Sequence, residues 1–265
     1  MTEALVLVDQ TAAVRMLTLN RPASLNSFNA ELHVELMAAL NAAADDNETR
    51  CVILTGAGRA FSGGQDLADP LAAPDPGGSR KDLRVLLDTY FGPLVHRLRT
   101  MPVPVIAAVN GVAAGAGASV ALHCDLVVAA DTASFIQAFT KIGLLPDSGG
   151  AWLLPRLVGR AQGLGLALLG DKLMAPDAER LGLIWKSVAA DTFMAEVLQL
   201  AQRLSTMPTK ALVATRLLMD ESLDLSLTDA LEREAVVQQQ LGFADDYNEG
   251  VSAFLAKRPA VYADR

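Results

Sequence analysis

The sequence predicts an α/β protein whose C-terminal part is entirely helical. Up to about residue 190, short apolar runs typical of strands alternate with glycine-rich turns and with segments of helical spacing. From Thr192 onward only helical patterns remain. Strand–helix alternation is typical of a layered α/β core. We therefore expect a core over 1–190, in which strand–strand–helix units recur, and a helical region over 191–265.

Composition indicates a globular chain without a nucleic-acid partner. Of the 265 residues, 51% are hydrophobic and 20% are charged, and the net charge is −8. Binding to the phosphate backbone of a nucleic acid needs a basic surface, which this charge does not favour. An anionic ligand would have to be bound by local groups, because the overall field repels it.

The cysteines and the chain start favour a reducing, cytoplasmic location. Cys51 and Cys124 both lie in apolar, strand-like contexts, which predicts buried thiols and not a disulfide. The N-terminus lacks the basic and apolar segments of a signal peptide. No apolar run is long enough to cross a bilayer, so we expect no membrane association. The histidines, His33, His96 and His123, lack metal-ligand spacing, so we predict structural roles for them and no metal site.

The first half of the chain is predicted to hold a hairpin, two helices and a buried strand. The predicted elements are strands 4–8 and 14–19 joined through 9–11, helix 28–44, strand 51–54 and helix 81–99 with a kink at Gly92-Pro93. The continuous apolar run 51–54 indicates a strand covered on both faces. Three prolines and two glycines within 70–79 predict a mobile loop that could serve as a lid.

The second half is predicted to hold the remaining strands and most of the helices. The predicted strands are 103–109, 125–130, 135–136 and 183–188. The predicted helices are 138–142, 152–157, 161–169, 175–181, 192–206, 208–220, 226–240 and 243–256.

Two glycine-rich turns follow buried strands and indicate a place where bare backbone approaches a ligand. One is Phe61-Ser62-Gly63-Gly64-Gln65-Asp66-Leu67, and the other is Gly115-Ala116-Gly117-Ala118, which begins a helix. Backbone N–H groups at a helix start lack intrahelical partners and carry the positive end of the helix dipole. A carbonyl or an anion can approach such a start closely. The alternative is that the glycines only allow tight turns and close helix packing.

A single carboxylate, Asp147, lies in a third turn, Pro146-Asp147-Ser148-Gly149-Gly150. A donor-lined pocket with one acid beside it can move a proton next to a carbonyl group. The apolar neighbours Ile142, Leu144, Leu145 and Trp152 predict a raised pKa for this carboxyl. The alternative is that Asp147 or Ser148 caps the helix that follows.

Several motifs together resemble the enoyl-CoA hydratase/isomerase (crotonase-like) superfamily along nearly the whole chain. They are Leu19-Asn20-Arg21-Pro22, Leu25-Asn26, Leu54-Thr55-Gly56, the turn at 61–67, Ala107-Ala108-Val109-Asn110-Gly111, Gly115-Ala116-Gly117, Cys124-Asp125, Gly143-Leu144-Leu145-Pro146, Gly149-Gly150 and Phe254-Leu255-Ala256-Lys257-Arg258. The resemblance implies a spiral of ββα units with a C-terminal helical trimerisation region. It also implies a homo-oligomer, either a trimer or a dimer of trimers.

The resemblance further implies an acyl-CoA thioester ligand, with CoA as part of the substrate and no separate cofactor. By position, the backbone N–H groups of Gln65 and Ala116 correspond to an oxyanion hole for the thioester carbonyl. The positions implied for CoA and substrate binding are Ser24, Leu25, Gly63, Gly64, Asp66, Leu67, Gly115, Phe139, Phe254 and Lys257. From the residues alone, Asp66 also fits a turn or capping role.

The departures from the family pattern indicate which reaction is expected. Hydratases of this family use two glutamates, and this chain has Ser119 and Phe139 at those positions. Neither can act as a carboxylate base on water, so simple hydration of an enoyl-CoA is not expected. Asp147 is the acid that remains, at a turn where some isomerases of the family carry theirs. We therefore expect an isomerase that moves a proton from the α carbon of an acyl-CoA to a vinylogous carbon.

The sequence leaves the substrate and two other hypotheses open. The same proton shift would convert an epoxidised aromatic acyl-CoA or a 3-enoyl-CoA. A hydratase-like or lyase-like enzyme with unusual catalytic groups is a second hypothesis. A non-catalytic acyl-CoA-binding scaffold is a third, although a scaffold has no need for a carboxylate whose desolvation is unfavourable.

Overall fold

The computed structural model describes residues 4–74, 77–78 and 80–265. It is an α/β protein built around two sheets, followed by a helical region. Within the described residues, strands β1 (Val6–Thr11), β2 (Val14–Leu19), β3 (Cys51–Gly56), β5 (Val105–Val109), β7 (Leu126–Ala130) and β10 (Lys186–Val188) form a six-stranded sheet in that order. β1 and β2 are antiparallel, and the other neighbours in this sheet are parallel.

The second sheet is smaller, and its first three strands alternate along the chain with strands of the larger sheet. In the part of the chain described, it consists of β4 (Ala60–Ser62), β6 (Val112–Ala114), β8 (Ser134–Ile136) and β9 (Lys172–Met174), in that order. Each of the pairs β3/β4, β5/β6 and β7/β8 contributes one strand to each sheet before a helix follows. This repetition is the predicted spiral of ββα units.

The helices of the core are α1 (Ala30–Asp45), α2 (Leu83–Leu86), α3 (Gly92–Arg99), α4 (Ala116–Leu122), α5 (Gly150–Leu169) and α6 (Ala175–Arg180). Among these core helices, α1, α4 and α6 pack on strands of the larger sheet, α3 packs on α1, and α5 packs on α4. A 3₁₀ helix, Ala138–Ile142, precedes α5. α1 follows the predicted spacing and packs on β1 and β2 through Leu32, Leu36 and Leu40, which are fully buried. β3 is buried along its whole length, as its apolar run predicts.

The C-terminal region contains four consecutive helices among the described residues, as predicted: α7 (Phe193–Ser205), α8 (Thr209–Ser222), α9 (Leu227–Gly242) and α10 (Asp245–Leu255). α7 buries Phe193, Val197 and Ala201 in the core and contacts β3 and β5. α8 is held to the core by Arg216, which donates to the Asp125 carboxylate and to the Met101 carbonyl. The division of the chain at residue 190 stays a prediction.

Some predicted boundaries were wrong. Residues 9–11 belong to β1, and the hairpin turns at Ala12-Ala13, where Ala12 has a φ of 50°. The strands β4, β6 and β9 were not predicted, because a strand of three residues is too short for its alternation to be recognised. Phe61 and Ser62, interpreted as part of the first glycine-rich turn, belong to β4. The two helices predicted within 150–169 are present, and Gly159, with φ 73° and ψ 162°, divides them.

The helix predicted over 81–99 contains a π-helical turn just before Pro93. Between α2 and α3, Leu87–Phe91 forms a π-helical turn, and the Gly92 N–H donates to the Leu87 carbonyl five residues earlier. Proline lacks an N–H group, and its ring crowds the carbonyl four residues back. Of the loop predicted over 70–79, residues Asp75, Pro76 and Ser79 lie outside the described residues, and its role as a lid stays a prediction.

We predict that Gly111→Ala lowers the free energy of unfolding by about 1–3 kcal/mol. Gly111 lies between β5 and β6, where a Cβ atom would overlap with the Arg59 carbonyl oxygen at the start of β4. Because both groups are backbone, neither can move aside without disturbing the pairing of β4 with β6. Chemical denaturation followed by circular dichroism measures the change.

Gly165→Ala is the matched control for this variant. Gly165 lies inside α5, and a Cβ atom there would meet nothing within 4 Å. Alanine favours the helix by up to about 1 kcal/mol over glycine, so this variant should be as stable as the wild type or more so. Equal stability of Gly111→Ala and the wild type would contradict the role assigned to Gly111.

Candidate active site

The backbone at Gln65 leaves an N–H group free on the far side of a short strand pairing. Phe28 forms an isolated parallel bridge with Gln65. In it, the Phe28 N–H donates to the Gly64 carbonyl at 2.7 Å, and the Asp66 N–H donates to the Phe28 carbonyl at 2.8 Å. Successive N–H groups of an extended chain point in opposite directions, so the Gln65 N–H points away from Phe28. It makes no hydrogen bond within the described part of the chain.

A second free N–H group belongs to Ala116, the first residue of α4. The residue before it, Gly115, has a φ of 51°, a conformation that favours glycine. The Ala116 N–H has no partner among the described residues, as expected at a helix start. The sequence interpretation of this stretch as bare backbone at a helix N-terminus is therefore confirmed.

The two glycine-rich turns contact each other. Gly64 has a φ of 92°, and a Cβ atom there would lie 2.7 Å from the Ala114 carbonyl oxygen and 3.3 Å from the Ala116 nitrogen. A Cβ atom at Gly117 would likewise lie 2.7 Å from the Ser62 side chain. The absence of side chains at Gly64 and Gly117 is what allows the two turns to approach. The N–H groups of Gln65 and Ala116 consequently flank one point of contact.

The segment before α1 supports the first turn. Ser24 is exposed, Leu25 is half-buried with a φ of 51°, and the Gly63 N–H donates to the Leu25 carbonyl at 2.8 Å. Ser24, Leu25 and Gly63 are thus next to one another, as the resemblance implies. Their role in ligand binding stays a prediction.

Asn26 is a supporting residue that the sequence analysis did not single out. Its fully buried side chain donates to the carbonyl oxygens of Ala57 and Ala60 at 2.9 and 2.8 Å and accepts from the Arg21 N–H at 2.9 Å. Its carbonyl accepts from the Ser62 hydroxyl. The sequence signal that could have identified Asn26 is its place in the Leu25-Asn26 motif. Asn26 has a φ of 55°, and asparagine tolerates this left-handed conformation better than most residues.

Asp66 is engaged in holding its own turn. One carboxylate oxygen pairs with Arg21 at 2.9 Å, and the other accepts from the Ala68 N–H at 3.0 Å. These contacts favour the turn role over ligand binding. Leu67 beside it is exposed.

Phe139 lies against the start of α4. The structure buries this residue in the 3₁₀ helix and places its ring 3.8 Å from the position of a Cβ atom at Gly115. An aromatic ring therefore stands beside the turn that begins α4. The role of Phe139 in substrate binding stays a prediction.

The Asp147 turn contains two consecutive left-handed residues. Ser148 has a φ of 50° and Gly149 a φ of 77°. The Ser148 hydroxyl donates to Asp147 Oδ1 at 2.9 Å, and the Gly150 N–H donates to the Asp147 backbone carbonyl at 2.7 Å. The expectation that Asp147 or Ser148 caps α5 is wrong, because the N-cap residue is Gly149 and no side chain caps the helix.

Burial raises the pKa of the Asp147 carboxyl above its usual range, and the Ser148 hydrogen bond opposes this shift. Both the direction and its cause, burial, agree with the sequence prediction. Of the apolar neighbours named for it, Ile142, Leu144 and Leu145 are themselves 52%, 38% and 68% exposed. The buried residues next to Asp147 are Ser148 and Gly150.

Ser119 connects the start of α4 to the Asp147 turn. Its hydroxyl is buried without a partner among the described residues, and a Cβ atom at Gly150 would lie 2.7 Å from it. Residues three apart on a helix share a face, so Ala116 and Ser119 lie on the same side of α4. The Asp147 turn therefore packs against the face of α4 that contains the side chains of Ala116 and Ser119.

Trp152 is the third residue of α5, and two guanidinium groups lie over its ring. The Arg156 and Arg99 side chains lie 4.1 and 5.0 Å from its ring centroid. Arg99 also pairs with Asp220 of α8 at 2.7 Å. Trp152 therefore joins the helix after the Asp147 turn to the C-terminal helices.

The structure does not bring Phe254 and Lys257 to the glycine-rich turns through any described contact. α10 packs against α9 and against the C-terminal tail, where Asp246 accepts from the Ala263 N–H. Phe254 is 81% exposed and lines a groove together with Leu241 and Tyr262. A role of Phe254 or Lys257 in CoA binding therefore stays a proposal.

Two further sequence expectations concern metals and membranes. Among the described residues, no group of three or more His, Cys, Asp or Glu side chains is placed to hold a metal ion. A search of the described helices finds none with the length and apolar character needed to span a membrane.

Comparison with known proteins gives concordant results for the whole chain. The sequence model of the family described as enoyl-CoA hydratase/isomerase matches residues 9–265. The 1,2-epoxyphenylacetyl-CoA isomerase of Escherichia coli (strain K12) is 49% identical over 92% of this chain and 93% of its own length. The 2,3-dehydroadipyl-CoA hydratase of the same organism is 34% identical over 98% of this chain and 99% of its own.

Solved structures agree with the fold. The enoyl-CoA hydratase of Bacillus anthracis superposes with a TM-score of 0.91 at 28% identity, over 99% of this chain and 100% of that one. An enoyl-CoA hydratase from Polaromonas sp. JS666 gives a TM-score of 0.88 at 33% identity, over 97% of this chain and 99% of that one. Together with the two free N–H groups at touching glycine-rich turns, these likenesses show that the chain belongs to the enoyl-CoA hydratase/isomerase family.

Proposed function

We propose that this protein is an isomerase that moves a proton from the α carbon of an acyl-CoA thioester to a vinylogous carbon. The observation that carries the proposal is the partly buried Asp147 on the turn packed against α4, while Ser119 and Phe139 occupy the two hydratase glutamate positions. A hydratase must activate water with a carboxylate, and those two positions offer none. Asp147 is an acid that can both take and return a proton.

In the proposed mechanism, the thioester carbonyl oxygen accepts hydrogen bonds from the N–H groups of Gln65 and Ala116. These donors stabilise the enolate that forms when the α proton leaves. Asp147 accepts that proton as a carboxylate and then donates it to the vinylogous carbon, so that the enzyme ends in its starting state. CoA is part of the substrate, and the proposal needs no separate cofactor. We assign Ser24, Leu25, Gly63, Gly64, Leu67, Gly115 and Phe139 to the walls of this site.

We propose an epoxidised aromatic acyl-CoA, 2-(1,2-epoxy-1,2-dihydrophenyl)acetyl-CoA, as the substrate, with its oxepin isomer as the product. The support is the 49% identity to a protein named for that isomerisation. The arene oxide opens to its seven-membered valence tautomer, and the shift of the α proton to the ring fixes the product. A 3-enoyl-CoA is the alternative substrate, since the same shift would give a 2-enoyl-CoA.

We predict that Asp147→Asn lowers turnover by about 10²–10⁴-fold, the usual range for general acid–base catalysis, with little loss of acyl-CoA affinity. Asparagine keeps the shape of the side chain and removes the base. The measurements are isomerisation of epoxyphenylacetyl-CoA and of a 3-enoyl-CoA, together with deuterium exchange at the substrate α carbon, which should be lost in the variant. Turnover near the wild-type rate would place the base elsewhere.

Thermal unfolding of Asp147→Asn controls for misfolding. Because burial raises the pKa of Asp147 in the folded state, ionising this carboxyl destabilises the fold as pH rises through that raised pKa. At neutral pH the variant should therefore be at least as stable as the wild type, and the difference should disappear below the ordinary pKa of 3.8. A loss of activity with this profile cannot be assigned to unfolding.

We predict that Ala116→Pro lowers turnover by about 10²–10³-fold, the usual effect of removing one oxyanion donor. Ala116 is the first residue of α4, where proline fits the helix and deletes only an N–H that has no intrahelical partner. The measurement is the same turnover assay, with CoA binding measured in parallel and expected to persist. Unchanged turnover would remove Ala116 from the mechanism, and no turnover by the wild type on any acyl-CoA would favour the scaffold alternative.

We predict that the protein is a trimer or a dimer of trimers in solution. Large apolar side chains of the C-terminal helices and their connections are exposed in the single chain: Met219, Leu223, Leu227, Leu231, Phe254 and Leu255. Exposed large apolar side chains in such number on one region of a chain favour an interaction with another chain. Light scattering at micromolar concentration measures the assembly, and a monomer or a dimer would contradict the prediction.

A further inference from the structure

His123, the residue that ends α4, contacts the Asp147 turn directly. Its ring is buried, and Nε2 lies 3.0 Å from the Ser148 carbonyl oxygen. A carbonyl can only accept a hydrogen bond, so Nε2 carries the proton and donates it. Nδ1 is then the bare nitrogen, and it has no partner among the described residues. The function proposed above makes no use of this histidine.

The ring is neutral over the working pH range. Burial lowers the pKa of His123 to about 4, and the neighbouring Arg99 and His96 act in the same direction, while the hydrogen bond to Ser148 opposes them. His123 is therefore a fixed donor and not a proton carrier at neutral pH.

The contact holds a conformation that the chain would otherwise avoid. Ser148 has a φ of 50°, which is unfavourable for a residue with a Cβ atom. Gly149, with a φ of 77°, packs so closely on the imidazole that a Cβ atom there would overlap with Nε2. Such left-handed residues persist only where their surroundings hold them, and they cluster at functional sites. The hydrogen bond from His123 and the close fit of its ring hold Ser148 and Gly149 in this conformation, beside the Gly150–Asp147 backbone bond and the packing of Gly150 on Ser119.

The conformation of Ser148 determines what its hydroxyl does. In the left-handed turn, Oγ donates to Asp147 Oδ1 at 2.9 Å. The other carboxylate oxygen, Oδ2, accepts no hydrogen bond from the described residues. Ser148 thus occupies one oxygen of the carboxylate and leaves the second for another partner.

We propose that His123 is a positioning residue, which holds Ser148 so that its hydroxyl fixes the Asp147 carboxylate with Oδ2 free to exchange the substrate proton. This inference rests on the proposed role of Asp147 as the base. His123 donates, Ser148 transmits the constraint, and Asp147 alone touches the substrate.

The test compares two substitutions of His123 of similar size. His123→Met fills the buried space but cannot donate, whereas His123→Gln offers an amide N–H near the position of Nε2. We expect His123→Met to lower kcat by roughly 10- to 100-fold, because small displacements of a catalytic group have effects of this size. KM should change little, and His123→Gln should recover most of the lost rate. His96→Gln, at an exposed histidine on α3, is the matched control and should leave kcat unchanged.

The pH profile distinguishes positioning from a merely structural role. The Ser148 hydroxyl stabilises the ionised form of Asp147, so Ser148→Ala should move the acid limb of kcat/KM to higher pH. His123→Met should move it in the same direction, because it releases Ser148. A general loosening of the fold would lower the rate without this displacement. Ser148→Ala deletes a single oxygen atom, so it tests the proposal even where His123→Met fails to fold.

Variants made in the Asp147→Asn enzyme distinguish the positioning role of His123 from the role of Asp147 as the base. If His123 acts through Asp147, adding His123→Met to Asp147→Asn should cost no further turnover. The positioning role is overturned if folded His123→Met and Ser148→Ala keep the wild-type kcat and pH profile while Asp147→Asn is inactive. An active Asp147→Asn enzyme would instead overturn the proposed function itself.

Discussion

The close approach of two pieces of backbone is the constraint on which the site depends. Gly64 and Gly117 lie where the chain after β4 meets the chain after β6, and at each of them a single Cβ atom would separate the two turns. The short parallel pairing of β4 with β6 sets this contact, and Asn26 ties the segment before α1 to the same place. The second sheet, to which β4 and β6 belong, therefore keeps these two turns in contact.

The Asp147 turn, in contrast, has two features that are unfavourable for the stability of the fold. A carboxylate there is partly removed from water, and Ser148 adopts a backbone conformation that favours glycine. Neither feature contributes to the packing of the core. An ordinary connection between a 3₁₀ helix and α5 would need neither the partly buried carboxylate nor the left-handed serine. In this protein both occur in a turn that packs against α4.

Sequence reasoning predicted the elements whose signal is local. The buried strand β3, the helix start at Ala116 and the carboxylate in the turn before α5 could all be recognised from short patterns. It failed where the answer depended on tertiary contacts. β6 and β9 are too short to show a period, and the side chain of Asn26 has three partners on other segments of the chain.

The same limit applies to the surroundings of Asp147. Apolar sequence neighbours predicted a buried carboxyl, and the carboxyl is partly buried, although Ile142 and Leu145 are themselves exposed. Adjacency in sequence does not show which side of a turn faces the core. The turn that contains Asp147 contacts Ser119 of α4 and His123 at the end of that helix. His123 and Ser148 are 25 residues apart in sequence, so no local pattern could show this contact.

The free N–H groups of Gln65 and Ala116 are part of the main chain, and this has a consequence for how such a protein can change over evolutionary time. Side-chain substitutions other than proline leave a main-chain donor in place, so mutation can replace the acids around it one at a time. A pair of main-chain donors of this kind stays in place whichever side chains occupy positions Ser119, Phe139 and Asp147. Divergence to new reactions within the family then requires moving one carboxylate, and not rebuilding a site.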